Sequence, residues 1–205
     1  SKRVAVVGAL VEGNSIRSTA RMTDVSKTTI LKMLVDLGTA CAEFHNERVR
    51  NLHSQRIQCD EIWSFCYAKE KNVPEEMKGK LGFGDVWTWV AICADTKLIP
   101  CWTVGNRSGA TAKKFIDDLA TRVQHRIQLT TDGYHVYLSA VDGAFGSDID
   151  YVMLDKIYAN RSKKDTQRYS PAECCGTRKI TVMGNPDPAH VSTSFVERQN
   201  LNMRM

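Results

Sequence analysis

Three consecutive β-rich segments, followed by alternating helices and strands, constrain this 205-residue chain more than any other feature. Residues 58–69 (QCDEIWSFCYAK) and 85–95 (DVWTWVAICAD) are dense in β-branched and aromatic residues. A third strand is predicted over 98–104, after the turn Asp95-Thr96-Lys97, so the three form an antiparallel meander. An amphipathic helix follows over 111–124, with Phe115, Leu119 and Val123 on one face. Then come a strand over 126–131 that ends at Asp132-Gly133, a helix over 137–145 and a strand over 149–154. Hairpin-linked strands followed by crossover units require an α/β chain, here a five-stranded mixed sheet flanked by helices. Residues 159–191 are polar, carry Pro171, Gly184, Pro186 and Pro188, and read as an irregular basic insertion before a helix over 192–205.

A small all-α module precedes this sheet. Short helices are predicted over 3–12 and 15–22, then a polar break over 23–26. A third helix runs from Lys27 to Leu37, with Ser26 as N-cap and Gly38 as stop. Two short helices across a tight turn form a helix-turn-helix pattern, which presents the start of its second helix to the DNA major groove. That end carries Lys27, Thr28, Thr29 and Lys32, with Arg17 and Arg21 on the preceding helix. Plain three-helix packing is the competing reading. Residues 39–56 read as a polar connecting helix, which sets the division at 1–56 for the helical module and 57–205 for the sheet domain.

Charge is distributed unevenly. The net charge is +5, of which residues 1–56, with nine Lys/Arg and five acids, hold +4. A basic front module is compatible with attraction to a phosphate backbone. Seven cysteines without a C-x-x-C pair support neither a disulfide framework nor a zinc ribbon. Cys59, Cys66, Cys93 and Cys101 read as buried hydrophobes in strands, while Cys174 and Cys175 read as ordinary or, less simply, reactive thiols. No apolar run is long enough for a membrane span and no signal-peptide pattern opens the chain, so a reducing cytoplasm is expected. The chain starts at Ser1 and stops soon after a helix begins, which suggests a fragment.

Three acids stand out. Asp60 lies among Ile57, Cys59, Ile62 and Trp63, where an unpaired carboxylate is costly to bury and a cation offsets the cost. The alternation of a strand puts Glu61 on the opposite face, away from any shared site. Asp132 ends the fourth strand, and Asp-Gly is equally a turn signal. Glu197 fits a capping box with Ser194. Asn200 and Arg204 share its helix face, either as a polar stripe toward a site or as a solvated one. His135 reads as a surface residue or a phosphate contact. Trp87 and Trp89 read as sheet packing. Lys113-Lys114, Arg161 with Lys163 and Lys164, and Arg178-Lys179 are solvated clusters that offer phosphate contacts. Carboxylates at the ends of different elements suit a pair of divalent ions, which stabilise the entering and leaving oxygens of phosphodiester cleavage.

Residues 58–64 (QCDEIWS), 130–137 (TTDGYHVY) and 194–205 (SFVERQNLNMRM) resemble, in order, transposases of the insertion-sequence-one type. The resemblance runs from the helices at 14–38 to the end of the chain. It implies a DDE transposase on an RNase H-like fold, with Asp60, Asp132 and Glu197 as catalytic carboxylates and Mg²⁺ or Mn²⁺ as cofactor. It further implies that Asp60 bridges two ions, Asp132 holds one and Glu197 the other, and that Asn200 and Arg204 support the site. The implied reaction cuts element ends to a 3′-hydroxyl, which then attacks target DNA. The implied partner is double-stranded DNA, terminal repeats and target alike, with no membrane, a homo-oligomer when full length and a nucleoid-associated location. Family members continue well past the glutamate, and many carry a zinc-binding segment ahead of the helix-turn-helix, so this chain is expected to be short at its C-terminus. Two alternatives remain: a non-catalytic helix-turn-helix DNA-binding regulator or truncated inactive transposase fragment, and an RNase H-like nuclease that hydrolyses without joining strands.

Overall fold

A computed structural model of the chain describes residues 1–158 and 174–204. The chain divides into two compact units, Ser1–Arg50 and Asn51–Arg204.

The first unit contains α1 (Lys2–Val11), α2 (Ile16–Thr23) and α3 (Lys27–Arg48). Ser15 and Ser26 cap α2 and α3 by accepting from the Ser18 and Thr29 amides, which satisfies donors that a helix start otherwise orphans. Asp24 closes α2 in the left-handed conformation (φ 51°). Gly38 does not stop α3, which continues for a further ten residues to Arg48. A helical glycine costs only about 1 kcal/mol against alanine, and Leu37, Ala40, Ala42 and Glu43 around it are good helix formers. The stop expected at Gly38 and the separate connecting helix are therefore corrected to one long helix. Residues 49–55 after it are not helical.

The second unit is a six-stranded mixed sheet in the order β3-β2-β1-β4-β5-β6. Its strands are β1 (Arg56–Cys66), β2 (Gly84–Cys93), β3 (Trp102–Gly105), β4 (Gln128–Asp132), β5 (Asp150–Tyr158) and β6 (Cys174–Met183). β1, β2 and β3 form the antiparallel meander, and β1, β4 and β5 run parallel. This is the RNase H-like arrangement that the order of elements implies. The count of five strands is corrected to six. β6 pairs antiparallel with β5 inside the stretch expected to be irregular. None of its residues is fully buried, although Ile180 and Met183 pack partly against the main core, so its apolar pattern is weak and it is held mainly by pairing to β5.

Helices α4 (Gly109–Ala120) and α5 (Val136–Phe145) cover one face of the sheet. Their Phe115, Ile116, Leu119, Tyr137 and Val141 pack on Cys59, Trp89, Leu129 and Tyr151. α6 (Ser194–Arg204) lies on the opposite face, where Val196 packs with Ile62, Val90 and Ile92. Cys59, Cys93 and Cys101 are buried, but Cys66 is exposed at the far end of β1, beyond the core. No helix among the described residues is long and apolar enough to cross a membrane.

Candidate active site

Strand register brings the first two acids together. Gln58 on β1 pairs with Thr130 on β4. Asp60 and Asp132 each stand two residues further along these parallel strands, on the same face and at the same end of the sheet. Glu197 comes from the first turn of α6, the helix that covers the face of the sheet on which Asp60 and Asp132 lie. Asp60, Asp132 and Glu197 line one cavity of about 510 Å³, together with Arg107, Asp155 and Lys156.

Gln58 fixes how α6 meets the sheet. Its Oε1 accepts from the amides of Phe195 (2.9 Å) and Val196 (3.2 Å). The Ser194 amide bonds instead to Ser192 Oγ at 3.1 Å. The helix start is thus capped by other groups, and the Glu197 carboxylate is not used as a capping-box acceptor. It accepts from Thr193 Oγ1 and pairs with Lys156 Nζ at 2.5 Å. One turn along, buried Asn200 donates from Nδ2 to Asp60 Oδ2 at 2.8 Å.

Asp132 Oδ1 accepts from the Tyr134 amide at 3.0 Å. A Cβ at Gly133 would lie 1.8 Å from Asp155 Oδ1, so a side chain there would displace the Asp155 carboxylate. Asp155 itself pairs with Arg178 at 2.8 Å.

Glu61 corrects the expectation from strand alternation. Although its backbone faces α5, it offers a carboxylate oxygen that lies within 4.8 Å of oxygens from Asp60 and Asp132. The β1–β4 pairing ends at Gln58 and Thr130, and beyond that point a long side chain reaches the gap between the strands. Arg107 donates from Nε to Glu61 Oε2 (3.1 Å) and forms an ion pair with it through Nη2 (3.0 Å), and its Nη2 lies 3.9 Å from Asp132 Oδ2. The guanidinium also stacks on Tyr134 and Trp87, 4.0 and 4.7 Å from the ring centroids. The Tyr134 hydroxyl donates to the Arg107 carbonyl at 3.0 Å. Nothing in the sequence singled out Arg107. The adjacency of Asp60 and Glu61 was the one available signal for Glu61.

The electrostatics follow from burial. Desolvation raises the Asp60 carboxyl to about 6; the nearby Asp132 and Glu197 charges add to the rise, against hydrogen bonds from the Glu61 backbone and Asn200. Desolvation raises Glu61 to about 7, with Asp132 and Asp60 adding and Tyr137 and Arg107 opposing. Asp132 is also raised, by burial first, against the Tyr134 amide and Arg107. A divalent cation is the natural counter-charge for such a group. The oxygen-only donor set suits Mg²⁺ or Mn²⁺, and Glu61 Oε1 is a buried acceptor without a hydrogen-bond partner among the described residues.

The remaining candidates lie elsewhere. His135 is exposed at the start of α5 and does not line the cavity, and Arg204 is exposed near the end of α6. Lys27, Thr28, Thr29, Lys32, Arg17 and Arg21 are all exposed on α2 and α3 of the first unit. Trp89 is fully buried in the core. Lys113 pairs with Asp117 along α4. Arg161, Lys163 and Lys164 fall outside the described residues.

No family model and no curated protein matches the chain. Among solved structures it is similar to a piggyBac transposase in a synaptic complex with hairpin DNA, at 11% identity and a TM-score of 0.35. The match covers 79% of this chain and 33% of that one, so the chain spans about a third of that transposase's length.

Proposed function

We propose that the chain is the catalytic region of a DDE transposase of the insertion-sequence-one type, which cleaves element ends and joins them to target DNA with divalent metal ions. The observation that carries this reading is the shared cavity of Asp60, Asp132 and Glu197, drawn from β1, β4 and α6. The three stretches that resemble the family supply these same residues. These residues would hold Mg²⁺ or Mn²⁺, which would supply activation of the attacking hydroxyl and charge neutralisation at the phosphate.

In this reading Asp60 and Asp132 would hold one cation, and Glu197 would hold a second. Asn200 orients Asp60 through its 2.8 Å hydrogen bond. Lys156 pairs with Glu197 at the cavity wall, and a bound cation would compete for that carboxylate. Arg107, braced by two rings and two carboxylates, offers fixed positive charge near the phosphate, which costs no reorganisation during the reaction. The exposed basic residues of α2 and the start of α3 bind the duplex, and the phosphate contacts make that binding salt-sensitive.

The test is strand transfer of pre-cut element ends into plasmid by the full protein. Asp60→Ala, Asp132→Ala and Glu197→Ala are each expected to lower joining by at least about 10³-fold while duplex binding persists. Retained joining by any one of them removes that residue from the site. Mn²⁺-dependent hydrolysis without joining in the parent protein identifies a nuclease instead.

A further inference from the structure

We propose that Glu61 supplies a further carboxylate to the cation seat, so that Asp60, Glu61 and Asp132 form its tight end and Glu197 lies outside it. The proposal rests on the metal-dependent reading above and departs from the carboxylate trio in naming which acids hold the first ion.

Two independent observations support it. The first is distance: Asp60, Glu61 and Asp132 each offer an oxygen, and all three oxygens lie within 4.8 Å of one another. Glu197 is not in this group, and its Oε1 is engaged by Lys156 and Thr193. The second is an orphaned acceptor. The Glu61 side chain is 1% exposed. The hydrogen bond and the ion pair from Arg107 both end on Oε2 of Glu61, whereas Oε1 is buried and finds no hydrogen-bond partner among the described residues. The Tyr137 hydroxyl lies near enough to bear on the charge of Glu61, yet it too is buried without a hydrogen bond of acceptable geometry.

A carboxylate with one oxygen satisfied and the other orphaned carries a desolvation cost that a native site normally removes. A hard cation seated among Asp60, Glu61 and Asp132 would remove it. Arg107 on Oε2 then has the part that orienting partners have for metal-bound carboxylates: it holds the group in one rotamer and leaves the second oxygen to the ion. The competing account makes Glu61 only the buried counter-ion of Arg107.

Mn²⁺ titrated into the purified protein, followed by calorimetry and by electron paramagnetic resonance of the free ion, separates the two. Glu61→Gln keeps the shape and is expected to weaken Mn²⁺ binding by about 10-fold or more, with the far-ultraviolet spectrum unchanged. Asp60→Asn is expected to weaken it at least as much, and Glu197→Gln to change the tighter binding step by less than about 3-fold, well inside that range. Should the glutamine variant fail to fold, Glu61→Asp keeps the charge for Arg107 and withdraws the oxygens by one methylene; a folded aspartate variant must bind Mn²⁺ more weakly. Unchanged affinity in a folded Glu61 variant, beside a loss in Asp60→Asn, overturns the role of Glu61 and leaves the metal-dependent reading standing. Absence of Mn²⁺ binding by the parent protein overturns both.

Discussion

Asp60 is held by Asn200 at 2.8 Å, and burial keeps its carboxyl near 6. The unfolded chain ionises the same group near 4, so the folded protein is penalised for its charge at neutral pH. Asp60→Asn removes the penalty while retaining shape. In metal-free buffer at pH 7.5 the variant is expected to be more stable by about 1–3 kcal/mol, measured by urea unfolding. A destabilised variant means that Asp60 is already compensated without a cation. The residue scale is also where sequence reading was least complete. Asp60 was legible because an acid inside an apolar strand has few inexpensive explanations. Glu61 lies on the α5 face, as alternation predicts, but the pleat fixes where a Cβ points and not where three further bonds take a carboxylate, so its exclusion from the site does not follow. Arg107 was invisible, because stacking on Trp87 and Tyr134 is a property of folded neighbours from β2 and the segment after β4.

At the scale of elements, α6 is positioned by one side chain of β1. Gln58 covers the amides of Phe195 and Val196, and Val196 fills the small core beside Ile62, Val90 and Ile92. Gln58→Leu leaves two helix-start amides without their acceptor, and a lost cap costs about 1 kcal/mol, within a range of 0.5–2. Hydrogen exchange at the Phe195 and Val196 amides is expected to accelerate, with the β4 and β5 amides unaffected; unaltered exchange at α6 contradicts this role for Gln58. The order of strands and helices was legible because apolar alternation and amphipathic periodicity persist through β1, β2, α4 and β4. β6 was not, because only Ile180 and Met183 of this edge strand pack on the core, too few for an alternation, and pairing to β5 specifies the rest. The length of α3 was misread for a related reason: the cost of Gly38 is small against a helix of 22 residues.

Across the whole molecule, the raised carboxyls couple stability to pH. Asp60, Glu61 and Asp132 hold protons in the fold at pH values where the unfolded chain has released them. Their contribution to stability is therefore present below about pH 4, the unfolded value, and is lost as pH rises through about 6 and 7. Metal-free protein is expected to lose melting temperature between pH 5 and pH 7.5 (roughly two units above the ordinary carboxylate range), with a smaller loss in Asp60→Asn. Saturating Mn²⁺ stabilises by mass action and restores the loss at the upper pH. An equal pH dependence in parent and variant separates Asp60 from the effect. The central claim is that acids far apart in the sequence form one seat for a divalent ion. Its most direct test is an anomalous difference map from crystals soaked in Mn²⁺. The account predicts a peak about 2.0–2.6 Å from carboxylate oxygens of both Asp60 and Asp132. A peak confined to other residues, or none beside these two acids at saturating Mn²⁺, contradicts it.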